Sequence, residues 1–231
     1  MKAFLLRLSV ALLTGLLGIG SSWLVKALTK AFSPRVDTRI EIKLIEPPDE
    51  RRIAAESKAV YQFVLEEIFV KDGANLLVIE DHTTGCPAYE DPRLFDELTS
   101  GRETFFDVVS QSIPEAQPAT LRSYYEQNRI PRKLKPELHL STHYALVSAA
   151  EMDQFFGKDA RGRGWQAFYS RYPKSPGLIF MSAVGFNSSY DEAMLYIGHQ
   201  CGGLCGSGEY LLLRQTEDRW HIVDRKPLWI S

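Results

Sequence analysis

Four runs of residues with the composition of β-strands follow one another at the C-terminal end of the chain. Short segments rich in glycine or in polar residues join them, and this spacing predicts an antiparallel meander. The runs are 178–186, 191–200, 209–215 and 220–230, and the turns between them are 187–190, 201–208 and 216–219. The C-terminal part of the chain is therefore predicted to be a sheet.

Helical patterns precede this meander. Asp49 can cap a helix whose apolar residues recur at helical spacing from Ala55 to Ile68, and Gly73 would end it. Helices first and sheet last, with too few crossings for a parallel sheet, predict an α+β fold. We expect helices packed on a curved, mainly antiparallel sheet, with the element order of cystatin or NTF2-type folds as an analogy. The other predicted helices are 149–156, 164–172 and a broken stretch over 93–129, and the other strands are 38–45, 76–79 and 137–148.

The N-terminus has the pattern of an export signal or a membrane anchor. Lys2 and Arg7 precede the charge-free run 8–25. A helix needs about 20 residues to span a bilayer, so an uncleaved anchor would run over 3–25, while a cleaved signal would be cut after Ser22 or Ala27. The alternative is a buried core helix of a cytosolic protein. We expect an N-terminal apolar helix within 1–33, and a single α+β domain over 34–231 that is membrane-anchored outside the cytoplasm or secreted.

The charge of the chain argues against nucleic-acid binding. Four of the 27 basic residues precede Ser33, and no acidic residue does. The rest of the chain has 23 basic against 29 acidic residues, a net charge of −6. Such a domain has no electrostatic reason to bind phosphate backbones, and no basic stripe with interleaved aromatic residues is present.

The most distinctive motif is His199-Gln-Cys201-Gly-Gly-Leu-Cys205-Gly-Ser-Gly208, between two predicted strands. Its four glycines are expected to supply the positive-φ backbone of a tight connection. Cys201 and Cys205 flank a three-residue loop and can reach the Cα separation of ~4.4–6.8 Å that a disulfide needs. In an exported protein this bond is expected to form, which leaves Cys86 free in an exposed loop.

The same motif permits other chemistry. His199, Cys201 and Cys205 are three ligands of the kind that zinc accepts, with a fourth from Cys86 or His143. Cys201 activated by an imidazole would be a nucleophile, and the two thiols would be a redox pair. The glycine-rich backbone would also form an anion-binding nest. On the preferred disulfide interpretation, we expect neither a metal nor a cofactor.

Asp81 and His82 close the predicted strand 76–79, a place where functional side chains often lie and where polar residues also occur because the core has ended. They remain candidate site residues, together with Cys86. His139 and His143 would lie ~13 Å apart on one strand face, too far for one metal, and are expected to face solvent. The aromatic residues at helical spacing within 164–172 are expected to pack rather than to form a ligand cage.

Several C-terminal segments resemble a set of uncharacterised exported bacterial proteins. These segments are Gly164-Trp165-Gln-Ala-Phe168-Tyr169, Tyr172-Pro173-Lys-Ser-Pro-Gly177, Val184-Gly-Phe-Asn187 and 198–206. The resemblance covers about the last third of the chain, including the glycine-rich hairpin and a last strand that contains tryptophan. It implies no activity, substrate or site residue.

Two functions follow as hypotheses. The first is a non-enzymatic binding or structural module, anchored in or exported across the membrane, whose partner is an unidentified protein or small molecule. The alternative is a thiol- or metal-dependent enzyme centred on Cys201 and Cys205 with His199.

Overall fold

A computed structural model of the chain describes residues 49–85, 109–134, 137–158 and 164–231. All of them belong to one compact unit, Pro48–Ser231. The predicted N-terminal apolar helix, the predicted strand 38–45 and Cys86 lie outside the described residues. Among the helices in the described ranges, none has the length and apolar character needed to cross a membrane.

Helix α1, Glu50–Leu65, begins where the sequence predicts. The Asp49 carboxylate accepts hydrogen bonds from the backbone N–H of Arg51 at 3.0 Å and of Arg52 at 3.2 Å, which satisfies two of the free donors at a helix start. The helix continues into a π-helical turn, Glu66–Val70. Gly73 then adopts a left-handed φ of 93° and ends it, which confirms the predicted stop.

Three further helices are α2 (Pro118–Gln127), α3 (Ala149–Phe156) and α4 (Gly164–Arg171). The bounds of α3 are those predicted, and α4 ends one residue early. Of the predicted broken helical stretch 93–129, residues 93–108 lie outside the described residues, and α2 begins at Pro118, since proline at the first helical position loses no intrahelical hydrogen bond.

In the described residues, seven strands form one mixed sheet in the order β2-β1-β3-β5-β6-β7, with β4 also paired to β5. The strands are β1 (Leu76–Glu80), β2 (His143–Val147), β3 (Leu178–Met181), β4 (Gly185–Phe186), β5 (Glu192–Gly202), β6 (Cys205–Thr216) and β7 (Arg219–Ile230). The α+β fold class is therefore confirmed, and β5, β6 and β7 form the predicted meander.

Part of the sheet is parallel, which the sequence did not predict. Val78 of β1 pairs in parallel with Ala145 of β2 on one side and with Leu178 of β3 on the other. The expectation of too few crossings was wrong here, because α2 lies in the β1–β2 connection, and α3 with α4 in the β2–β3 connection. Helical crossovers of this kind are what parallel strands require.

Two predicted strands differ in length from those observed. Only 143–147 of the predicted strand 137–148 pairs with a neighbour, and the predicted strand 178–186 divides into β3 and β4. The division falls at Ser182, whose Oγ accepts the backbone N–H of Tyr196 at 2.7 Å. A side-chain hydroxyl thus replaces a backbone acceptor and lets the chain bend.

The alternating residues of β5 divide the core between two faces of the sheet. Ala193, Leu195 and Ile197 pack with α1, whereas Met194 and Tyr196 pack with α2. All of these residues are at most 4% exposed. Full burial of one large apolar side chain stabilises a fold by about 1.5–3 kcal/mol, so both faces contribute to holding β5 as the central strand.

Candidate functional site

The glycine-rich motif forms a hairpin with a two-residue turn, Gly203-Leu204. Cys201 and Gly202 complete β5, and Cys205 begins β6. The prediction of a loop over 201–208 was therefore wrong, because Ser207 pairs with His199 and Gly208 with Gly198 in the sheet.

Cys201 and Cys205 lie at disulfide-bonding distance, with their Cα atoms 5.1 Å apart. This is within the usual range for a disulfide and agrees with the predicted pairing. The pair lies beside a register shift between Gln200 and Gly202. The Tyr169 hydroxyl of α4 donates to the Cys201 carbonyl at 2.9 Å, so a helix also holds the end of the hairpin.

The hairpin glycines have a different role from the one predicted. In the described part of the chain, the glycines with left-handed φ are Gly73, Gly164 and Gly177, and none belongs to the hairpin. A Cβ atom at Gly208 would collide with the Trp229 indole and the Tyr196 hydroxyl, and one at Gly198 with the Phe180 ring. Gly208 in the motif, and Gly198 just before it, therefore leave room for aromatic side chains.

His199 lies at the other face of β5, against the π-helical turn Glu66–Val70. Its Nε2 is 2.8 Å from the carbonyl of Pro176, and because a carbonyl only accepts, Nε2 carries the hydrogen and Nδ1 is left as an acceptor. Its ring lies 5.4 Å from the Phe69 ring. His199 is half-buried.

The alternative zinc set around His199, Cys201 and Cys205 is not formed by the described residues. No group of three or more His, Cys, Asp or Glu side chains within the described residues is placed to hold a metal ion. Two sulfurs joined in a disulfide are also no longer thiolates, the form in which cysteine binds zinc or attacks a substrate.

A cleft of about 470 Å³ opens beside His199. Its lining is polar and apolar in about equal parts: Phe69 and Ile197 supply apolar surface, and charged side chains line its rim. The volume lies within the range of small-molecule sites, ~300–1,000 Å³. The structure thus brings His199 into a cavity that the sequence did not predict.

Two of the rim charges neutralise each other. Arg225 donates from Nε to Glu209 Oε2 at 2.9 Å and from Nη2 to Oε1 at 2.5 Å. Such a two-point contact is the strongest arrangement of an arginine and a carboxylate. The hydrogen bond to Glu209 raises the pKa of Arg225, so the guanidinium stays charged.

The other two rim charges are Asp72 and Lys174. Both are exposed, and neither forms an ion pair with another residue in the described ranges. Lys174 has a left-handed φ of 66°, a backbone conformation that L-residues other than Gly, Asn and Asp rarely adopt and that often marks functional positions. The turn therefore holds the Lys174 ammonium at the cleft at some conformational cost.

Asp81 and His82 come together at the opposite end of β1. Leu178 pairs with Val78 and with Gln200, so the hairpin lies beyond the N-terminal end of β1, whereas Asp81 follows its C-terminal end. The side chains of Asp81 and His82 are hydrogen-bonded through Oδ1 and Nδ1. The structure therefore does not unite these two residues with His199 and the cysteines.

The sequence did not predict several residues that line the cleft. Phe69, Lys174, Glu209 and Arg225 belong to distant elements, and no spacing in the sequence joins them. The signal that could have been used is the register of β6 and β7, which places Glu209 diagonally to Arg225. As predicted, His139 and His143 are exposed, and Phe168 and Tyr172 are packed in a core cluster.

Comparison with protein-family models, with curated proteins and with solved structures found no match.

Proposed function

We propose that this protein is a membrane-anchored or secreted binding module, and that its ligand site is the cleft beside His199. The observation that carries the proposal is the combination of the apolar side chains of Phe69 and Ile197 with two charges of opposite sign, Asp72 and Lys174, that form no ion pair with the described residues. A cavity with an apolar lining and a few placed polar groups is the usual form of a small-molecule site.

The charges favour a particular class of ligand. A small zwitterion with an apolar body, such as an apolar free amino acid, would place its carboxylate near Lys174 and its ammonium near Asp72. Its side chain would then cover Phe69 and Ile197. Hydrogen bonds to charged groups contribute about 1.5–3 kcal/mol each, so both charges of the ligand would matter.

The cysteine pair supports the location. Disulfides form and persist in oxidising compartments outside the cytoplasm, and Cys201 and Cys205 are at bonding distance. Together with Lys2, Arg7 and the charge-free run 8–25, this favours a domain beyond the membrane. It disfavours the alternative, a thiol- or metal-dependent enzyme at Cys201 and Cys205, which needs free thiolates.

The cystatin or NTF2-type arrangement stays part of the proposal. It is supported by α1 packing along one face of the β5–β7 meander. It carries no ligand and no partner with it, since folds of one architecture serve many functions.

The test is calorimetric titration of the protein with four probes: L-leucine, L-phenylalanine, N-acetyl-L-phenylalanine and L-phenylalanine amide. The last two each lack one charge. We expect the two amino acids to bind, and each single-charge probe to bind about tenfold more weakly than L-phenylalanine.

Charge-reversal variants assign the contacts. Lys174→Glu should weaken binding of N-acetyl-L-phenylalanine and leave the amide unaffected, whereas Asp72→Lys should do the reverse. Lys226→Glu, an exposed change on β7 outside the cleft, is the matched control. Absence of binding by all four probes, or binding that ignores both reversals, would refute this function.

A further inference from the structure

The end of the sheet opposite the hairpin has the topology of a ligand site. β1 lies between β2 and β3 in the sheet. The chain therefore passes from β1 to β2 on one side of β1, and later forms β3 on the other side. The carboxyl ends of these parallel strands meet at one edge, and such a switch point is where open sheets with parallel strands bind ligands. Asp81 and His82 follow β1 directly at this edge.

The backbone of Asp81 is fixed where two segments diverge from β1. Its N–H donates to the carbonyl of Val147 at the end of β2, at 2.9 Å, and its carbonyl accepts the N–H of Leu134 at 2.8 Å. Its side chain is only 12% exposed. Asp81 therefore has little freedom to turn away from its partners.

The two carboxylate oxygens of Asp81 contact different side chains, those of His82 and Lys133. A carboxylate only accepts, so Nδ1 of His82 donates in their contact, and in the neutral imidazole Nε2 then presents a lone pair. The His82 side chain is 48% exposed, so Nε2 is open to solvent. Lys133 Nζ lies 3.9 Å from the second carboxylate oxygen of Asp81 and puts a positive charge beside the pair.

One polar group near this edge has no hydrogen-bond partner among the described residues. The hydroxyl of Thr84, two residues after His82, is buried and makes no hydrogen bond with the described residues. Thr84 pairs with Ser182 at the end of β3. A buried hydroxyl without a partner costs about 1–3 kcal/mol, which a bound ligand with an acceptor would recover.

We propose that Asp81 and His82 form a general-base dyad that hydrolyses small carboxylic esters at this edge, with Lys133 stabilising the oxyanion. His82 is the catalytic residue, and Asp81 is a positioning residue that holds its tautomer and orientation. The pairing of an imidazole with a carboxylate on its far nitrogen is the arrangement that makes histidine an effective proton acceptor. This site is independent of the cleft beside His199.

The proposed reaction is balanced without a cofactor. A water molecule forms a bond from its oxygen to the ester carbonyl carbon and gives its proton to Nε2 of His82. The carbonyl electrons move onto oxygen, next to the Lys133 ammonium. When this oxyanion collapses, the bond to the alkoxy group breaks and the alkoxide takes the proton from His82. Ester and water thus become acid and alcohol.

The experiment measures hydrolysis of p-nitrophenyl acetate by the full chain, with kcat and KM determined separately. His82→Gln should lower kcat/KM about 100-fold, the usual size of a general-base contribution. His143→Gln is the matched control, because His143 is an exposed histidine at the start of β2 without a place in the dyad. It should leave the rate unchanged.

Two further variants separate the roles. Asp81→Asn should lower kcat with little change in KM, since it disturbs the tautomer of His82 rather than the binding of ester. Lys133→Gln should also act on kcat. If Asp81→Asn fails to fold, judged by circular dichroism, the exposed His82→Gln still decides. Activity of His82→Gln within twofold of the parent, or an equal loss in His143→Gln, overturns the proposal.

Discussion

The indole Nε1 of Trp229 donates a hydrogen bond to the hydroxyl of Tyr196 at 2.9 Å, over the backbone of Gly208. The indole also stacks on Phe180, with ring centroids 6.4 Å apart and an interplanar angle of 6°. Trp229 on β7 thereby connects Phe180 on β3 with Tyr196 on β5, and it does so above Gly208 of β6, which has no side chain. The glycine is required by what lies above it rather than by its own dihedral angles.

Gly208→Ala tests this relationship. The added Cβ would collide with the indole and the hydroxyl, and overpacking of a filled core costs about 1–3 kcal/mol. Gly203→Ala is the matched control, since a Cβ there has no heavy atom within 4 Å. Urea denaturation should show a loss for Gly208→Ala alone. Equal stability of both variants would show that the aromatic cluster does not need the glycine.

The double variant Cys201→Ser with Cys205→Ser should fold and lose stability only modestly. The loop is short, so the bond removes little entropy from the unfolded chain, on the order of 1–3 kcal/mol. Peptide mapping of unreduced protein should find Cys201 linked to Cys205, and Cys86 open to a thiol reagent. A linked peptide that contains Cys86 would contradict the pairing.

Glu192→Ala should be among the most destabilising single changes. Glu192 is fully buried, and its carboxylate accepts from the Gln117 N–H at 2.7 Å, the Thr120 hydroxyl at 2.7 Å and Arg214 Nε at 3.1 Å. Its loss leaves the buried Thr120 hydroxyl and the partly buried Gln117 N–H and Arg214 Nε without their acceptor, which costs about 2–4 kcal/mol.

Glu115→Ala is the control for that change, because Glu115 is an exposed partner of the same arginine, with Oε2 3.9 Å from Arg214 Nη1. Exposed ion pairs contribute at most about 1 kcal/mol. Thermal unfolding should separate the two variants clearly. Similar losses for both would mean that the ion pair with Arg214, rather than burial of the carboxylate, is the source of the effect.

Tyr172 should make the protein sensitive to alkali. Burial, and then the hydrogen bond to Glu151, raise its pKa from 10.0 to about 12. Above pH 10 the unfolded state loses the phenol proton while the folded state retains it, so this contribution is present below pH 10 and declines toward pH 12. Melting temperatures should be measured from pH 8 upward, so that the range includes the interval from pH 10 to pH 12. They should fall less steeply with pH for Tyr172→Phe than for the parent protein. An unchanged slope would argue against the shift.

The N-terminal run should direct the chain to the membrane or beyond it. A fusion of alkaline phosphatase to the C-terminus, which is active only outside the cytoplasm, should be active in bacteria. Replacing Leu12 and Leu13 with Arg interrupts the charge-free run, and each such charge in the middle of an apolar helix opposes insertion by about 2.5–3.5 kcal/mol. The variant fusion should therefore be inactive. An inactive parent fusion with soluble, full-length protein would refute the placement.

Local patterns in the sequence were sufficient for several elements. Asp49 begins α1 because its side chain replaces missing hydrogen bonds within three residues, and the bounds of α3 follow from similar local contacts at Ser148. The pairing of Cys201 with Cys205 is also local, since four residues separate them. Such interactions need no knowledge of the rest of the chain.

The sequence determined the α+β class, the C-terminal meander and the cysteine pair, because alternation, capping and short loops act between residues that are close along the chain. The tertiary structure alone decided that β1 pairs in parallel with β2 and β3. It also decided that Gly208 and Gly198 leave room for the rings of Trp229 and Phe180, and that Lys133 lies beside Asp81. These relationships join distant segments through packing on the two faces of the sheet. The free energy of that packing depends on which surfaces meet, and one-dimensional spacing does not contain it.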